Sequence, residues 1–118
     1  MKTNCVFCDI SSGKIPSKRI YENDNFFSIL DLSPQVKGHA LVISKKHFEN
    51  ILDLPSSISS ELLDCVKKTF FILNKDFKAE GFNLVSNNFE VAGQVIKHVH
   101  FHILPRKNGD GYSLSLNK

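Results

Sequence analysis

Histidine recurs at every second position in the stretch His98-Val99-His100-Phe101-His102-Ile103-Leu104. Side chains alternate between the two faces of a strand, so this spacing predicts a strand with three imidazoles in a row on one face, about 6.6 Å apart. The intervening apolar residues would face the core. A solvated polar face is the simpler interpretation, but Thr, Lys or Glu are more usual there than histidine. The histidine row therefore indicates a site of reaction or of metal binding.

The chain has 118 residues, 42% of them hydrophobic and ten of them phenylalanine, which suffices for one core. We expect a single domain over residues 1–118. The net charge is +3, and the lysines and arginines are dispersed, which suits a phosphate-bearing small molecule better than a nucleic acid. No apolar run has the length of a signal peptide or of a membrane span. We predict a cytoplasmic protein with no membrane and no nucleic-acid partner.

The remaining sequence predicts an α+β fold of about five mostly antiparallel strands and one long helix. The predicted strands cover residues 19–21, 26–30, 40–43, 82–86 and 95–104. A turn or short helix covers residues 5–13. The long helix is expected to be capped by Ser56 or Ser57 and to end at Gly81. Its apolar stripe consists of Leu62, Val66, Phe70, Leu73 and Phe77.

The chain has three cysteines, two of them close together as Cys5-Val6-Phe7-Cys8. In a reducing compartment this pair indicates metal or redox use rather than a disulfide framework. A thioredoxin-like redox pair is disfavoured, because no βαβ pattern surrounds these cysteines. Two ordinary buried thiols are a further alternative. Cys65 lies beside the apolar stripe and is best explained as a small core residue.

Two kinds of enzyme are compatible with the histidine row. One imidazole can attack phosphorus while its neighbours bind the phosphate oxygens, and Gly93, Gln94 and Asn87 could supply a flexible turn and amide donors. A metal hydrolase would need a third ligand, an open coordination position and a carboxylate base, for which Glu90 is the nearby acid. The residues alone leave both possibilities open.

The segment Ala92-Gly93-Gln94, followed after three residues by the histidine row, resembles the signature of the histidine triad (HIT) nucleotide-binding family. Residues 31–35, 38–43, 45–47 and 82–87 also resemble the family in order and spacing, so the resemblance covers residues 5–110. It implies a half-barrel α+β sheet and a homodimer that joins two five-stranded sheets into one of ten strands. It also implies a purine nucleotide substrate.

By the same resemblance, His100 is the nucleophile of a nucleotide hydrolase or nucleotidyl transferase that acts on a nucleoside phosphoramidate or acyl nucleotide. A nucleotidyl-histidine would form at the α-phosphate and release a nucleoside monophosphate on hydrolysis. His98 and His102 are the other implied catalytic residues. The implied substrate-binding residues are Asp31, Leu32, Asn87, Gly93, Gln94 and His102, with Phe7, Ile15 and Ile29 around the base.

Val95 stands where many family members have Ser or Thr, which implies altered handling of the leaving group. The run 97–110 also resembles the branch that hydrolyses dinucleoside polyphosphates, in which Arg106 or Lys107 would neutralise the extra phosphates. A third possibility is a nucleotide-binding regulatory module with incidental hydrolysis.

Some relatives hold zinc through a Cys-x-x-Cys pair and two histidines. The resemblance implies Cys5, Cys8, His39 and His98 as the ligands in this chain. Two thiolates and two imidazoles would form a closed tetrahedral site, which is structural rather than catalytic. No organic cofactor is implied.

Overall fold

A computed structural model describes residues 5–114 and shows a five-stranded antiparallel sheet in the order β1-β2-β3-β5-β4. The strands are β1 (Tyr21–Glu22), β2 (Phe26–Leu30), β3 (Ala40–Ser44), β4 (Gly81–Val85) and β5 (His100–Arg106). The helices are α1 (Val6–Ser11) and α2 (Ser59–Phe77), and short 3₁₀ turns cover Ile51–Asp53, Ser56–Ile58 and Glu90–Ala92. The predicted α+β class, with its antiparallel sheet and one long helix, is confirmed.

The two faces of the sheet are covered differently. Toward α2, the side chains of Val99, Phe101 and Ile103 pack in a core cluster with Val66 and Leu73 of the helix. The opposite face carries a second cluster, which consists of Phe7 from α1 and Phe27, Ile29, Leu41 and Ile43 from the sheet. Every residue of β3 is buried, as expected for a short apolar strand covered on both faces.

The long helix begins and ends at different residues from those predicted. Neither Ser56 nor Ser57 caps it through a side chain, because both lie in the preceding 3₁₀ turn and Ile58 occupies the N-cap position. At the other end Lys78 adopts the left-handed conformation, with φ at 51°. The Asn74 side chain accepts a hydrogen bond from the Ala79 amide there, which helps to end the helix without glycine. Gly81 instead begins β4.

The histidine strand begins later than predicted, at His100 rather than at residue 95. Its partner β3 ends at Ser44, and the pairing of Ile43 with His100 is the last in that register. Beyond this point the Val99 amide donates to the Phe48 carbonyl, 2.7 Å away. Residues 95–99 therefore run as a loop held by the segment that follows β3.

Across residues 5–114, no helix has the length and the apolar character that crossing a bilayer demands.

Candidate functional site

A cleft of about 540 Å³ lies on the sheet face opposite α2. Its walls come from α1, from the end of β2 with the loop that follows, and from the 93–96 loop beside β5. The cleft is lined by Val6, Phe7, Ile10, Ile29, Leu30, Asp31, Leu32, Ser33, Leu41, Asn87, Gly93, Val95, Ile96, His100 and His102. The polar groups converge near two histidines, while α1 and β2 contribute apolar walls. Such a cavity is typical of a small-molecule site.

The cleft brings together eight of the residues predicted for catalysis or substrate binding: Phe7, Ile29, Asp31, Leu32, Asn87, Gly93, His100 and His102. Sequence reasoning missed several others that line it, among them Val6, Ile10 and Ser33. An apolar residue can line a cleft or the core equally well, so Val6 and Ile10 carried no separate signal, and Ser33 resembled an ordinary loop residue.

Two predicted substrate-binding residues are placed elsewhere. Ile15 is exposed and lies outside the cleft. Gln94 is buried, and its amide nitrogen donates to the carbonyl oxygens of Glu49 and Ile96. Its carbonyl oxygen accepts from the Phe89 amide at 2.8 Å. The prediction that Gln94 binds phosphate does not agree with this arrangement, because the side chain is engaged in holding the loop around Gly93.

The proton on the His100 ring can be assigned from one contact. His100 Nδ1 lies 2.8 Å from the His98 carbonyl oxygen, and because a carbonyl oxygen only accepts, Nδ1 carries the proton. Burial lowers the pKa of His100 below its ordinary value. At neutral pH the ring is therefore uncharged, and its Nε2 carries a lone pair suited to nucleophilic attack.

A chain of hydrogen bonds assigns the proton on His102 in the same way. The Gln35 amide donates to His39 Nδ1 at 3.0 Å, so the neutral His39 ring carries its proton on Nε2. That nitrogen lies 2.9 Å from His102 Nδ1, which accepts, so the His102 proton lies on Nε2. Burial, together with the neighbouring His100 and His39, lowers the pKa of His102 to about 4. His102 is therefore a neutral hydrogen-bond donor.

A separate cluster joins the cysteine pair to two histidines. The ligand atoms of Cys5, Cys8, His47 and His98 all lie within 4.8 Å of one another. His98 Nδ1 is 3.3 Å from Cys5 Sγ and 3.6 Å from Cys8 Sγ, and His47 Nδ1 is 3.2 Å from Cys8 Sγ. Tetrahedral zinc with usual bond lengths separates sulfur and nitrogen ligands by about 3.6 Å. The cluster thus has nearly the dimensions that zinc requires.

The tautomer of His98 also fits a metal ligand. His98 is fully buried, and its Nε2 lies 2.8 Å from the Ser44 carbonyl oxygen, to which it donates. The lone pair therefore lies on Nδ1, the nitrogen that faces the thiols. Orientation of a metal-binding imidazole by a carbonyl oxygen is a usual second contact of such sites.

The structure corrects one predicted metal ligand, since His47 replaces His39 in the cluster. His39 immediately precedes Ala40, whose partner across the antiparallel ladder is Ile103. It is therefore adjacent to His102, with Asp31 Oδ2 3.4 Å from its Nε2. His47 follows the other end of β3, where the chain approaches the start of β5. No local pattern indicated this choice, because it follows from the pairing of β3 with β5, which are distant in the sequence.

The remaining predicted positions have different surroundings. Val95 lines the cleft and is 89% exposed. Arg106 donates to Asp110 at 2.8 Å and to Asn83 at 2.7 Å, and neither Arg106 nor Lys107 lines the cleft. Cys65 is buried, which raises its pKa to about 11. A thiol in this state is an inert core residue, in agreement with the interpretation from sequence.

Comparisons with known proteins agree with this geometry. The sequence model of the HIT domain matches residues 12–109. An uncharacterised HIT-like protein of Methanocaldococcus jannaschii is 46% identical over 91% of this chain and 82% of its own length. The adenosine 5'-monophosphoramidase HNT1 of Candida albicans is 38% identical over 89% of this chain and 72% of its own length.

A solved structure gives the same result for the fold. The crystal structure of a Zn-bound histidine triad family protein from Mycobacterium smegmatis superposes with a TM-score of 0.85 at 38% identity. The match covers 93% of this chain and 80% of that one. Sequence and fold agree along nearly the whole described chain, and the protein belongs to the HIT domain family.

Proposed function

We propose that this protein is a nucleotide hydrolase or nucleotidyl transferase that cleaves at the α-phosphate of a purine nucleoside phosphoramidate or acyl nucleotide. The observation that carries the proposal is the hydrogen bond from His100 Nδ1 to the His98 carbonyl oxygen, which leaves Nε2 as the nucleophilic atom. The name of the Candida albicans relative, an adenosine 5'-monophosphoramidase, supports the phosphoramidate as substrate.

The proposed reaction has two displacements at phosphorus. His100 Nε2 attacks the α-phosphorus, and the bond to the leaving nitrogen or oxygen breaks with its electron pair, an amine then taking a proton from solvent. Water attacks the nucleotidyl-histidine, the phosphorus–Nε2 bond breaks, and the electron pair returns to Nε2 while the water's proton goes to solvent. His102 Nε2–H donates to a phosphate oxygen in both steps.

We propose binding roles for residues that line the cleft. Asp31 accepts hydrogen bonds from the ribose hydroxyls, and Leu32 lies on the same wall. Phe7 and Ile29 enclose the purine through apolar contact. Asn87 and the backbone at Gly93 lie on the phosphate side.

The alternative of dinucleoside polyphosphate hydrolysis has less support. Among the described residues that line the cleft, none is lysine or arginine, and Arg106 is engaged with Asp110. The cleft therefore offers no fixed cation to extra phosphates, which favours a leaving group of low negative charge. The exposed Val95 at the rim agrees with such a leaving group.

We also propose structural zinc held by Cys5, Cys8, His47 and His98. When bound, the metal would link α1, the segment after β3 and the loop before β5. The dimensions of the cluster and the tautomer of His98 support this assignment, and a Zn-bound relative has the same fold. Cytoplasmic location and a homodimer remain predictions from the sequence.

Rapid quenching without acid, followed by intact-mass spectrometry, tests the reaction. Wild type and His100→Ala are mixed separately with adenosine phosphoramidate and with a diadenosine polyphosphate. We expect an AMP adduct on wild type alone, formed preferentially from the phosphoramidate. An adduct mainly from the dinucleotide would select the alternative substrate. No adduct and no AMP from either substrate would favour a nucleotide-binding module.

A further inference from the structure

His98 belongs to both sites at once. Its ring faces the thiols of Cys5 and Cys8, while its backbone carbonyl oxygen accepts the hydrogen bond that orients the His100 ring. The ring is fully buried and bound to Ser44 through Nε2. A shift of His98 as a whole would move both the ring that faces the thiols and the carbonyl oxygen that orients the nucleophile.

Helix α1 connects the same two sites by a second route. Cys5 and Cys8 lie at its first turn, and the Cys8 amide donates to Cys5 Sγ at 3.3 Å. Between them, Phe7 contacts the rings of His98 and His100 edge-on, with centroid distances of 5.8 and 5.0 Å. Phe7 and its neighbour Val6 also line the cleft.

The two ends of α1 are attached differently. At its C-terminal end, Ser11 Oγ donates to the Lys45 carbonyl at 2.7 Å, and Arg19 donates to the carbonyl oxygens of Ile10 and Ser11. At its N-terminal end, the Cys5 and Cys8 thiols contact the imidazoles of the cluster. A helix of six residues is not stable by itself. A metal ion in the cluster would therefore stabilise the turn that forms one wall of the cleft.

We propose that the Cys5, Cys8, His47 and His98 cluster is a positioning centre, so that a zinc ion bound there and a nucleotide bound in the cleft increase each other's affinity. The inference rests on the proposed function for the identity of both ligands. His98 and Phe7 transmit the effect, and neither of them reacts with the substrate in this role.

Thermodynamic linkage makes the test quantitative. The dissociation constant of AMP is measured by calorimetry on protein loaded with one equivalent of zinc and on chelator-treated protein, both with a thiol reductant. Zinc affinity is measured with and without AMP. Both must change by the same factor, which we expect to be about tenfold. One equivalent is used because Asp31, His39 and His102 also lie within 4.8 Å of one another and could bind excess metal.

Two variants separate coupling from general loss of structure. Phe7→Leu removes the ring contacts with His98 and His100 but keeps all four ligands, so we expect the coupling factor to fall toward one. Phe26→Leu is the matched control, since Phe26 is equally buried but lies in the cluster beneath α2. This control should keep the full factor. Circular dichroism verifies that each form is folded.

Nitrogen NMR of the histidines provides a readout that needs neither catalysis nor nucleotide. Removal of zinc should shift or broaden the His100 Nδ1–H signal, which reports the bond to the His98 carbonyl oxygen. The coupling is overturned if the AMP dissociation constant changes by less than twofold when zinc is removed from folded protein. It is also overturned if the protein fails to bind zinc. If AMP binds neither form, the proposed function fails, and the His100 signal alone decides whether the cluster positions the nucleophile.

Discussion

At the scale of single residues, three histidines in one alternating row have three different environments. His98 faces the thiols, His100 presents Nε2 to the cleft, and His102 is a donor oriented by His39. The three rings differ in the partner of one ring nitrogen. This partner is a carbonyl oxygen for His98 Nε2 and His100 Nδ1, and the His39 imidazole for His102 Nδ1. The chemistry of each ring thus depends on its neighbour rather than on the residue type.

Loss of His39 should impair His102 without removing it. His39→Ala deletes the ring whose Nε2 lies 2.9 Å from His102 Nδ1, so His102 can adopt the wrong tautomer or orientation. We expect kcat to fall by about 10- to 100-fold, less than the roughly 100- to 1,000-fold loss on deleting a transition-state donor in His102→Ala. Steady-state kinetics measures both. His39→Gln, which can still donate to His102, should recover part of the rate, and an unchanged kcat in His39→Ala would exclude the positioning role.

The low pKa of His102, about 4, predicts how stability depends on pH. The unfolded chain binds this proton near the ordinary histidine value, about 6.5, whereas the folded protein binds it only near 4. The unfolded state is therefore favoured as pH falls from about 6.5 toward 4, and the free energy of unfolding decreases. Urea unfolding at several pH values should show this slope in wild type and a smaller one in His102→Gln. Equal slopes would contradict the assignment.

At the scale of secondary structure, β5 serves two sites because its side chains alternate. Phe101 and Ile103 pack in the α2 cluster, while His100 and His102 line the cleft. The core thus holds the strand in place from one face while the chemistry takes place on the other. The same alternation is local to the sequence, so it could be predicted without knowledge of the fold.

Phe101→Ala should therefore destabilise the protein far more than a matched change on the exposed side of α2. Phe101 is buried, and its loss leaves a cavity worth about 3–5 kcal/mol. Phe71 is 65% exposed, so Phe71→Ala should cost less than about 1 kcal/mol. Urea unfolding compares the two. Similar losses in both variants would mean that the strand is not held by this cluster.

At the scale of the whole molecule, the Cys5, Cys8, His47 and His98 cluster connects parts that are distant in sequence. The cluster joins residue 5 to residue 98, and the sheet ends in the edge strands β1 and β4. Phe82 and Leu84 on β4 are both exposed, which is unusual for a strand whose outer edge is unpaired among residues 5–114.

Removing zinc should lower the thermal midpoint because four ligands from three segments lose their cross-link. We expect a chelator to lower the midpoint of wild type and to have no further effect on a Cys5→Ser, Cys8→Ser double variant. Cys65→Ala is the control, since this buried thiol lies outside the cluster and the variant should still respond to the chelator. Differential scanning calorimetry measures the shift. A wild-type midpoint that ignores the chelator would exclude structural zinc.

The predicted homodimer should depend on β4. Leu84→Lys places a charge on the exposed edge strand and should shift the protein toward monomer in analytical ultracentrifugation. Leu52→Lys is the control, because Leu52 is more exposed, at 76%, but lies in the 3₁₀ turn Ile51–Asp53 and not on a strand. A monomeric wild type, or a Leu84→Lys variant as dimeric as Leu52→Lys, would contradict a dimer through this edge.

Features that depend on local periodicity could be predicted from the sequence: the α+β class, the buried strand, predicted at 40–43 and found at Ala40–Ser44, and the single face shared by His100 and His102. Contacts between distant parts of the chain set which histidine joins the cysteines, where β5 begins, and that Gln94 holds a loop. The first two depend on the antiparallel register of β3 and β5, which are more than fifty residues apart in the chain, and the third depends on the bond from Gln94 to the distant Glu49 carbonyl oxygen. Local patterns predict which face a side chain takes, but its partner across the sheet is set by how distant strands pair.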